Sequence, residues 1–336
     1  MNFKRLAALA AAGILAVSFT ACSKEKNAAS SSVVSSSSAS SAENTSEGTE
    51  ILEKAKKANE SLENYEGNID LEFTFKNDSG ESTATVHTDI IDFQKSPVSK
   101  YFAISSQGNG QDLGTSQFYV KEDNGQKVLY LNYESAWYKA NVDDDTLFYT
   151  IGQYDLKSIS KIFLEAVSGV KTEGEEDVDG KTAVKLTGTI GEDKIKATLI
   201  DTGVFVVSGM SSLTEEQMDG TPAMPITFLI DKETGDVLKI EFDAGPAYQV
   251  ISDNVYALVK DNEEYKNMQQ LMINKYNFVY EFKNCNNAKT VEYPSELDSA
   301  IDMEEMAAEQ KAKEEENAAS DAAQSSSSSA ESSQSK

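Results

Sequence analysis

Histidine, cysteine and tryptophan are almost missing from this chain, and each shortage excludes something. One histidine, His87, rules out a His-rich metal site and leaves little scope for a Ser-His-Asp arrangement. The two cysteines, Cys22 and Cys285, leave no intrachain disulfide if the first is modified, so the core must hold the fold by itself. A lone Cys285 among asparagines has no nearby basic group in sequence to lower its thiol pKa, and is read as a packed side chain, not a nucleophile. Basic residues are also few, 30 against 56 acidic ones, for a formal charge of −26. Such a chain repels nucleic acid and anionic surfaces.

Long apolar runs are lacking too, with one exception at the start. Lys4 and Arg5 precede a short apolar stretch from Leu6 to Phe19 that breaks off at Thr20-Ala21-Cys22. A basic start, a short apolar stretch and small residues before a cut site describe a secretory signal, too short to span a bilayer. The ending Phe19-Thr20-Ala21-Cys22 resembles a bacterial lipobox, although Phe19 stands where leucine is usual. The expectation is a signal peptide over 1–21 and lipidation at Cys22, for which two or more acyl chains make a stable anchor. Cleavage removes two basic residues and no acidic one, so the mature chain is more acidic still. This places the protein at the cell membrane, lipid-anchored on the extracytoplasmic face.

Composition divides the remainder. Residues 22–48 are the lipidated cysteine and a Ser-rich stalk that cannot bury enough apolar surface to fold, with a coil span of roughly 28 Å. Residues 306–336 turn Ala/Glu-rich and then Ser-rich, a second disordered tail. The folded domain is therefore 49–305.

Periodicity sketches that domain. Ile51, Ala55, Ala58 and Leu62 recur at helical spacing, with Thr49 as the expected cap. From Ile69 to Lys76, apolar and polar residues alternate as in a strand with one wet face. Less regular strands follow over about 83–93, 99–105, 116–122, 127–133 and 136–140, separated by turn residues. Leu156, Ile159, Ile162, Phe163, Ala166 and Val167 form one helix face, with Gly169 as its stop. Strands are expected again at 181–190 and 194–200, a hairpin over 226–242, a helix over 248–272, and a closing strand through Tyr276, Phe278, Tyr280 and Phe282.

Candidate chemistry is sparse. Gly108 to Gly114 looks superficially like a phosphate loop, but Leu113 occupies a glycine position and no helix signal follows, so it reads as a plain loop. Asp143-Asp144-Asp145 and the acidic run Glu173 to Asp177 lack alternating calcium-ligand spacing and read as solvated turns. Close carboxylate pairs carry no weight in so acidic a chain. Aromatics are more informative: Phe73, Phe93, Tyr101, Phe118, Tyr119, Tyr130, Trp137, Phe228, Phe242 and Phe278 all fall in expected strands. Most are expected in the core. Met210, Met218 and Met224, in the loop 208–225, suit an adaptable apolar surface beside a cavity.

Taken in order, these residues resemble the LolA-like/LppX-like lipoprotein superfamily, within it an uncharacterised Gram-positive group. The resemblance rests on the lipobox and Ser stalk, on Leu62-Glu63-Asn64-Tyr65-Glu66-Gly67 before the first strand, and on Ala136-Trp137-Tyr138-Lys139. It also rests on the hairpin around Ile230-Asp231-Lys232-Glu233-Thr234-Gly235 and on Val291-Glu292-Tyr293-Pro294. It implies an α+β fold: a curved antiparallel sheet, an incomplete barrel, with helices covering its concave face. It further implies a non-enzymatic protein without cofactor or metal, binding a lipid or other apolar ligand in that concavity. No ligand contact is bound to a motif, so no ligand-binding residue carries over. A second reading is a protein-interaction module of the cell envelope with a filled core.

Overall fold

The computed structural model describes residues 45–306 and 308, apart from 134, 207–212 and 264–268. Helix α1 spans Ser46–Ser61. Its cap is Thr45, whose hydroxyl accepts the Gly48 amide at 3.0 Å, four residues before the expected Thr49. Leu52, Ala55 and Asn59, at spacings of three and four, form its buried stripe.

Two meanders follow. The first is β1 (Asn64–Asn77), β2 (Gly80–Phe93), β3 (Ser99–Gly108), β4 (Gln111–Asp123), β5 (Gln126–Tyr133) and β6 (Ala136–Val142). Helices α2 (Asp144–Ile151) and α3 (Leu156–Ala166) lead to β7 (Val167–Val178) and β8 (Lys181–Ile190). Helix α4 (Ile195–Asp201) precedes β9 (Met224–Asp231) and β10 (Val237–Asp243), and α5 (Gly245–Val259) precedes β11 (Met272–Lys283). A two-residue strand, β12 (Ile301–Asp302), comes last.

All twelve strands join one sheet in the order β12-β6-β5-β4-β3-β2-β1-β11-β10-β9-β8-β7. Strand β11 lies between β1 and β10 and so couples the two meanders. Every pairing is antiparallel except the parallel β12–β6 contact. The sheet does not close, because β7 and β12 are its two ends. Residues from both wings, Val142 of β6 and Leu186 of β8 among them, share one apolar cluster with the helices. The sheet is therefore curled around its helical layer, as an incomplete barrel with helices on the concave side.

The alternation expected in the first strand holds. Tyr65, Ile69, Leu71 and Phe73 are buried, while Glu66, Asp70 and Glu72 stay partly exposed. Gly67 marks where α3 crosses close by: a Cβ there would lie 2.7 Å from Leu156 Cδ1 and 2.4 Å from the Glu281 carbonyl oxygen. The hairpin after β9 is fixed by Asp231, whose Oδ1 accepts the amides of Glu233 (2.8 Å) and Thr234 (3.0 Å). Lys54 of α1 donates to the Lys232 and Glu233 carbonyls at 2.6 and 2.8 Å, clamping that turn to the helix.

Several expectations need correction. Residues 195–201 form a helix, not a strand, with Ile195, Thr198 and Leu199 buried at helical spacing. The acidic run Glu173 to Asp177 belongs to β7, an edge strand, where exposed acids are tolerated because no second neighbour must be accommodated. Asp143 to Asp145 open α2, and Asp143 accepts the Thr146 amide at 2.8 Å. Helix α5 starts at Gly245, with proline in its first turn, and ends at Val259. The helix expected to 272 stops short: residues 269–271 are not helical and Met272 opens β11, while 264–268 lie outside the described residues.

Candidate functional site

Strand β2 ends at Phe93, and the chain turns through Gln94 to Val98 into β3. Opposite this turn passes the segment after β11, which we call the strap. The strap is tied to β1 by bonds from the Asn286 amide to the Asn64 carbonyl (2.7 Å) and from the Ala288 amide to Asn64 Oδ1 (2.9 Å). Further on, the Tyr293 hydroxyl meets Ser99 Oγ at 2.7 Å and the Val120 carbonyl at 3.1 Å.

Between strap and turn lies an open groove of about 500 Å³, within the range of roughly 300–1,000 Å³ typical of small-ligand sites. Phe93, Pro97, Val98, Val291 and Tyr293 supply its apolar lining. Its rim is charged. Lys95 pairs with Glu63, and Lys121 sits over the Tyr293 ring at 5.5 Å. Glu122 accepts the Val98 amide (2.7 Å) and the Ser96 hydroxyl (2.8 Å), which together hold its carboxyl below the usual range.

Beneath the groove, on the concave side of the same strands, is a buried charged cluster. Asp92 is fully buried. Its Oδ2 accepts Gln94 Nε2 (2.8 Å), Lys100 Nζ (2.9 Å) and the Tyr65 hydroxyl (3.0 Å). Asp155 caps α3 by accepting the Ser158 amide at 3.1 Å, and it also meets Gln94 Nε2 at 3.3 Å. Burial pushes Asp92 up to about 6 despite the opposing pull of Lys100. Burial alone would lower Lys100, but the attraction of Asp92 and Asp155 outweighs it and raises the ammonium. Burial and the two carboxylates raise Tyr65. The cluster contains no nucleophile poised by a base; it fastens the start of α3 to the sheet.

The concave face itself is filled. Phe163 of α3 lies 5.0 Å from Phe242 and 6.2 Å from Tyr280. Tyr248 of α5 lies 4.8 Å from Tyr276 and 5.2 Å from Phe73. A space of about 10 Å³ lies beside Leu62, Phe282 and Cys285, roughly enough for one water. Met218 and Met224 are buried in this core rather than lining an opening, and Met210 lies outside the described residues. The expected apolar concavity is thus occupied, among the described residues, by the protein's own side chains.

The aromatic residues divide differently from expectation. Phe73, Phe118, Phe228, Phe242 and Phe278 are core. Tyr101, Tyr119, Tyr130 and Trp137, read from sequence as core material, stand on the outer face with Phe93. The register shows it: Tyr101 opposes Tyr119, which opposes Tyr130, while their neighbours Phe102, Phe118 and Leu131 point inward. Period-two alternation identifies the two faces but not which is wet when both carry apolar rings.

The remaining singled-out residues are structural. Asn109 and Gly110, both at positive φ, make the β3–β4 hairpin turn, and Gln111 to Gly114 already belong to β4, with Gly114 at positive φ beside a register shift. Cys285 is partly buried, and its thiol is pushed up to about 12 by burial, which suppresses the thiolate. His87 contacts Asp70 at 2.6 Å and Asp89 at 3.3 Å on the outer face. Among the described residues, no group of three or more His, Cys, Asp or Glu side chains is placed to hold a metal. Nor is any described helix long and apolar enough to cross a membrane. Cys22 lies outside the described residues.

Residues 47–234 match the model of a family of unknown function, DUF6612. No curated protein matches the sequence. Among solved structures, LprF from Mycobacterium bovis is similar at 14% identity, over 75% of this chain and 99% of its own, with a TM-score of 0.44. The lipoprotein LppX from Mycobacterium tuberculosis is similar at 14% identity, over 73% and 99%, with a TM-score of 0.37.

Proposed function

Because the chain belongs to the DUF6612 family, whose description specifies no activity, we propose from its geometry a non-enzymatic extracytoplasmic lipoprotein, anchored through Cys22, that binds an apolar ligand. The supporting observation is the open groove with its floor of Phe93, Pro97, Val98, Val291 and Tyr293. In this reading the ligand sits in the groove and not under the helices. The lysines at the rim suit a ligand with a polar or acidic head.

Anchoring is tested first. Cys22→Ala should release the protein from the membrane fraction into the medium or leave it as uncleaved precursor. Unchanged fractionation, with labelled fatty acid still incorporated, would refute the anchor.

The Cys22→Ala chain then serves for binding. A fluorescent fatty acid should be taken up saturably, and Val291→Trp, which fills the groove, should weaken uptake about tenfold, or about 1.4 kcal/mol, with the melting temperature kept. Equal uptake by parent and variant would place the ligand elsewhere. The filled concave face favours a second reading, an envelope docking module. Cross-linking in membranes that recovers one protein partner, with no uptake of any apolar probe, would establish it in place of the first.

A further inference from the structure

The groove described above runs across the sheet, not along its strands. One register row crosses four strands there: Asn64 on β1 opposes Phe93 on β2, Phe93 opposes Ser99 on β3, and Ser99 opposes Lys121 on β4. All four residues line the groove. Lys121 and Phe93 are two strands apart, a separation of roughly 10 Å. The strap passes over this row and contributes Val291 and Tyr293 to the lining. The result is a short trough whose two ends differ in charge.

At the β1 end the charges are spent on one another, because Lys95 pairs with Glu63. At the β4 end the carboxylate is engaged on both oxygens. Glu122 Oε1 accepts the Ser96 hydroxyl at 2.8 Å and Oε2 accepts the Val98 amide at 2.7 Å, so the group is held against the β2–β3 turn. Lys121 is placed otherwise. Its ammonium stands 5.5 Å from the centre of the Tyr293 ring, and among the described residues it forms no ion pair, even with Asp123 on the same face of β4 or Glu292 of the strap. Tyr293 is itself fixed through its hydroxyl to Ser99 and to the Val120 carbonyl, so the ring sets where the cation stands. A contact with a ring face accounts for that position and leaves the three N–H donors of the ammonium without an acceptor in the protein.

We propose that the trough takes a fatty-acid-like amphiphile with one anionic head, the head on Lys121 and the chain laid across β3 and β2 toward Phe93. The inference rests on the groove reading of the previous subsection and adds to it the sign of the head and the direction of the chain. Phe93, Pro97, Val98 and Val291 give the chain apolar surface along that line, and an anionic head supplies the acceptor that the Lys121 ammonium lacks. A cationic head would be repelled by Lys121 and would find Glu63 and Glu122 already bonded. An uncharged head would gain the apolar contact alone. The net negative charge of the chain opposes any anion at long range, but salt screens that field beyond roughly 8 Å, whereas the contact with Lys121 is direct.

Dodecanoate, dodecanol and dodecyltrimethylammonium share one chain and differ in the head. Each is titrated calorimetrically into the Cys22→Ala chain at about pH 8, where the acid is ionised. Dodecanoate should bind about fivefold more tightly than dodecanol, or about 1 kcal/mol, the size expected of an exposed charge contact, and the preference should shrink as salt is raised. Lys121 is exposed, so Lys121→Met should keep the melting temperature. It should erase the preference and bind dodecanol no more weakly than the parent does. Lys95→Met should retain the preference, because that ammonium serves Glu63. Equal affinity of the parent for acid and alcohol, tighter binding of the cationic amphiphile, or an equal loss of preference in Lys95→Met and Lys121→Met overturns the inference and leaves the groove reading standing. If none of the three binds, or Val291→Trp weakens none of them, the groove reading itself fails and the inference falls with it.

Discussion

Phe163→Ala should lower the stability of this domain by about 3–5 kcal/mol, read as a shift of the urea midpoint at constant slope. Phe163 has no exposed surface and sits at the middle of α3, against Phe242 and Tyr280. Truncation there loses the ring and leaves a hole that the sheet below cannot close, because interiors relax only in part. The control is Leu258→Ala on α5, more than half exposed, which should change stability by less than about 0.5 kcal/mol. A cost near that of the control would mean that the concave face is loosely occupied. The ligand reading would then return to the space under the helices.

Lys100→Ala should be as damaging, at about 3–5 kcal/mol, for a different reason. Lys100 is the one cation bonded to the fully buried Asp92, and without it a carboxylate stays in the core with its partner gone. The double change Asp92→Asn with Lys100→Met should recover a large part of that loss, because the uncompensated charge goes too. The pair also predicts a pH dependence. Asp92 titrates at about 6 in the folded chain against 3.8 for the free side chain, so between these values the folded state holds a proton that the unfolded state releases. Stability from this group is highest below that window, falls as pH rises toward about 6, and is level above it. Lys100, raised in the folded state, contributes below its free value of 10.5 and loses that contribution as pH climbs through its folded value. Glu66, Glu122, Asp231 and Glu281 are lowered and slope the other way at acid pH. The measurement is therefore the difference between the parent and Asp92→Asn. A difference constant from pH 4 to pH 6 would contradict the buried titration.

Much of the architecture was legible because strands announce themselves by local alternation. The run from Ile69 to Lys76 and the hairpin at Asp231 to Gly235 both follow from neighbours in sequence. What failed depended on context. Residues 195–201 are too short for periodicity to choose between helix and strand, and contact with α3 decides it. The acidic residues of β7 look like a turn until one knows that the strand is the last in its sheet. The groove and the buried cluster were invisible for the same reason. Asn64, Phe93, Lys121 and Tyr293 are far apart in sequence, and the Lys100–Asp92–Asp155 association exists only once β2, β3 and α3 are assembled. The outer placement of Tyr101, Tyr119 and Trp137 was hidden because ring-bearing residues occur on both faces of the same strands.

Both borders of the sheet are partly occupied by the chain's own terminal stretches. At β7, the Thr45 amide donates to the Val170 carbonyl at 3.0 Å, and beyond that point the border bristles with Glu173, Glu175, Glu176 and Asp177. At β6, Ile301 and Asp302 lie alongside Tyr138 and Lys139. A sheet of this width with bare borders would invite neighbouring copies to zip together, the route by which exposed strands seed aggregates. The two selvedges shorten the length of bare border that a second sheet could zip onto.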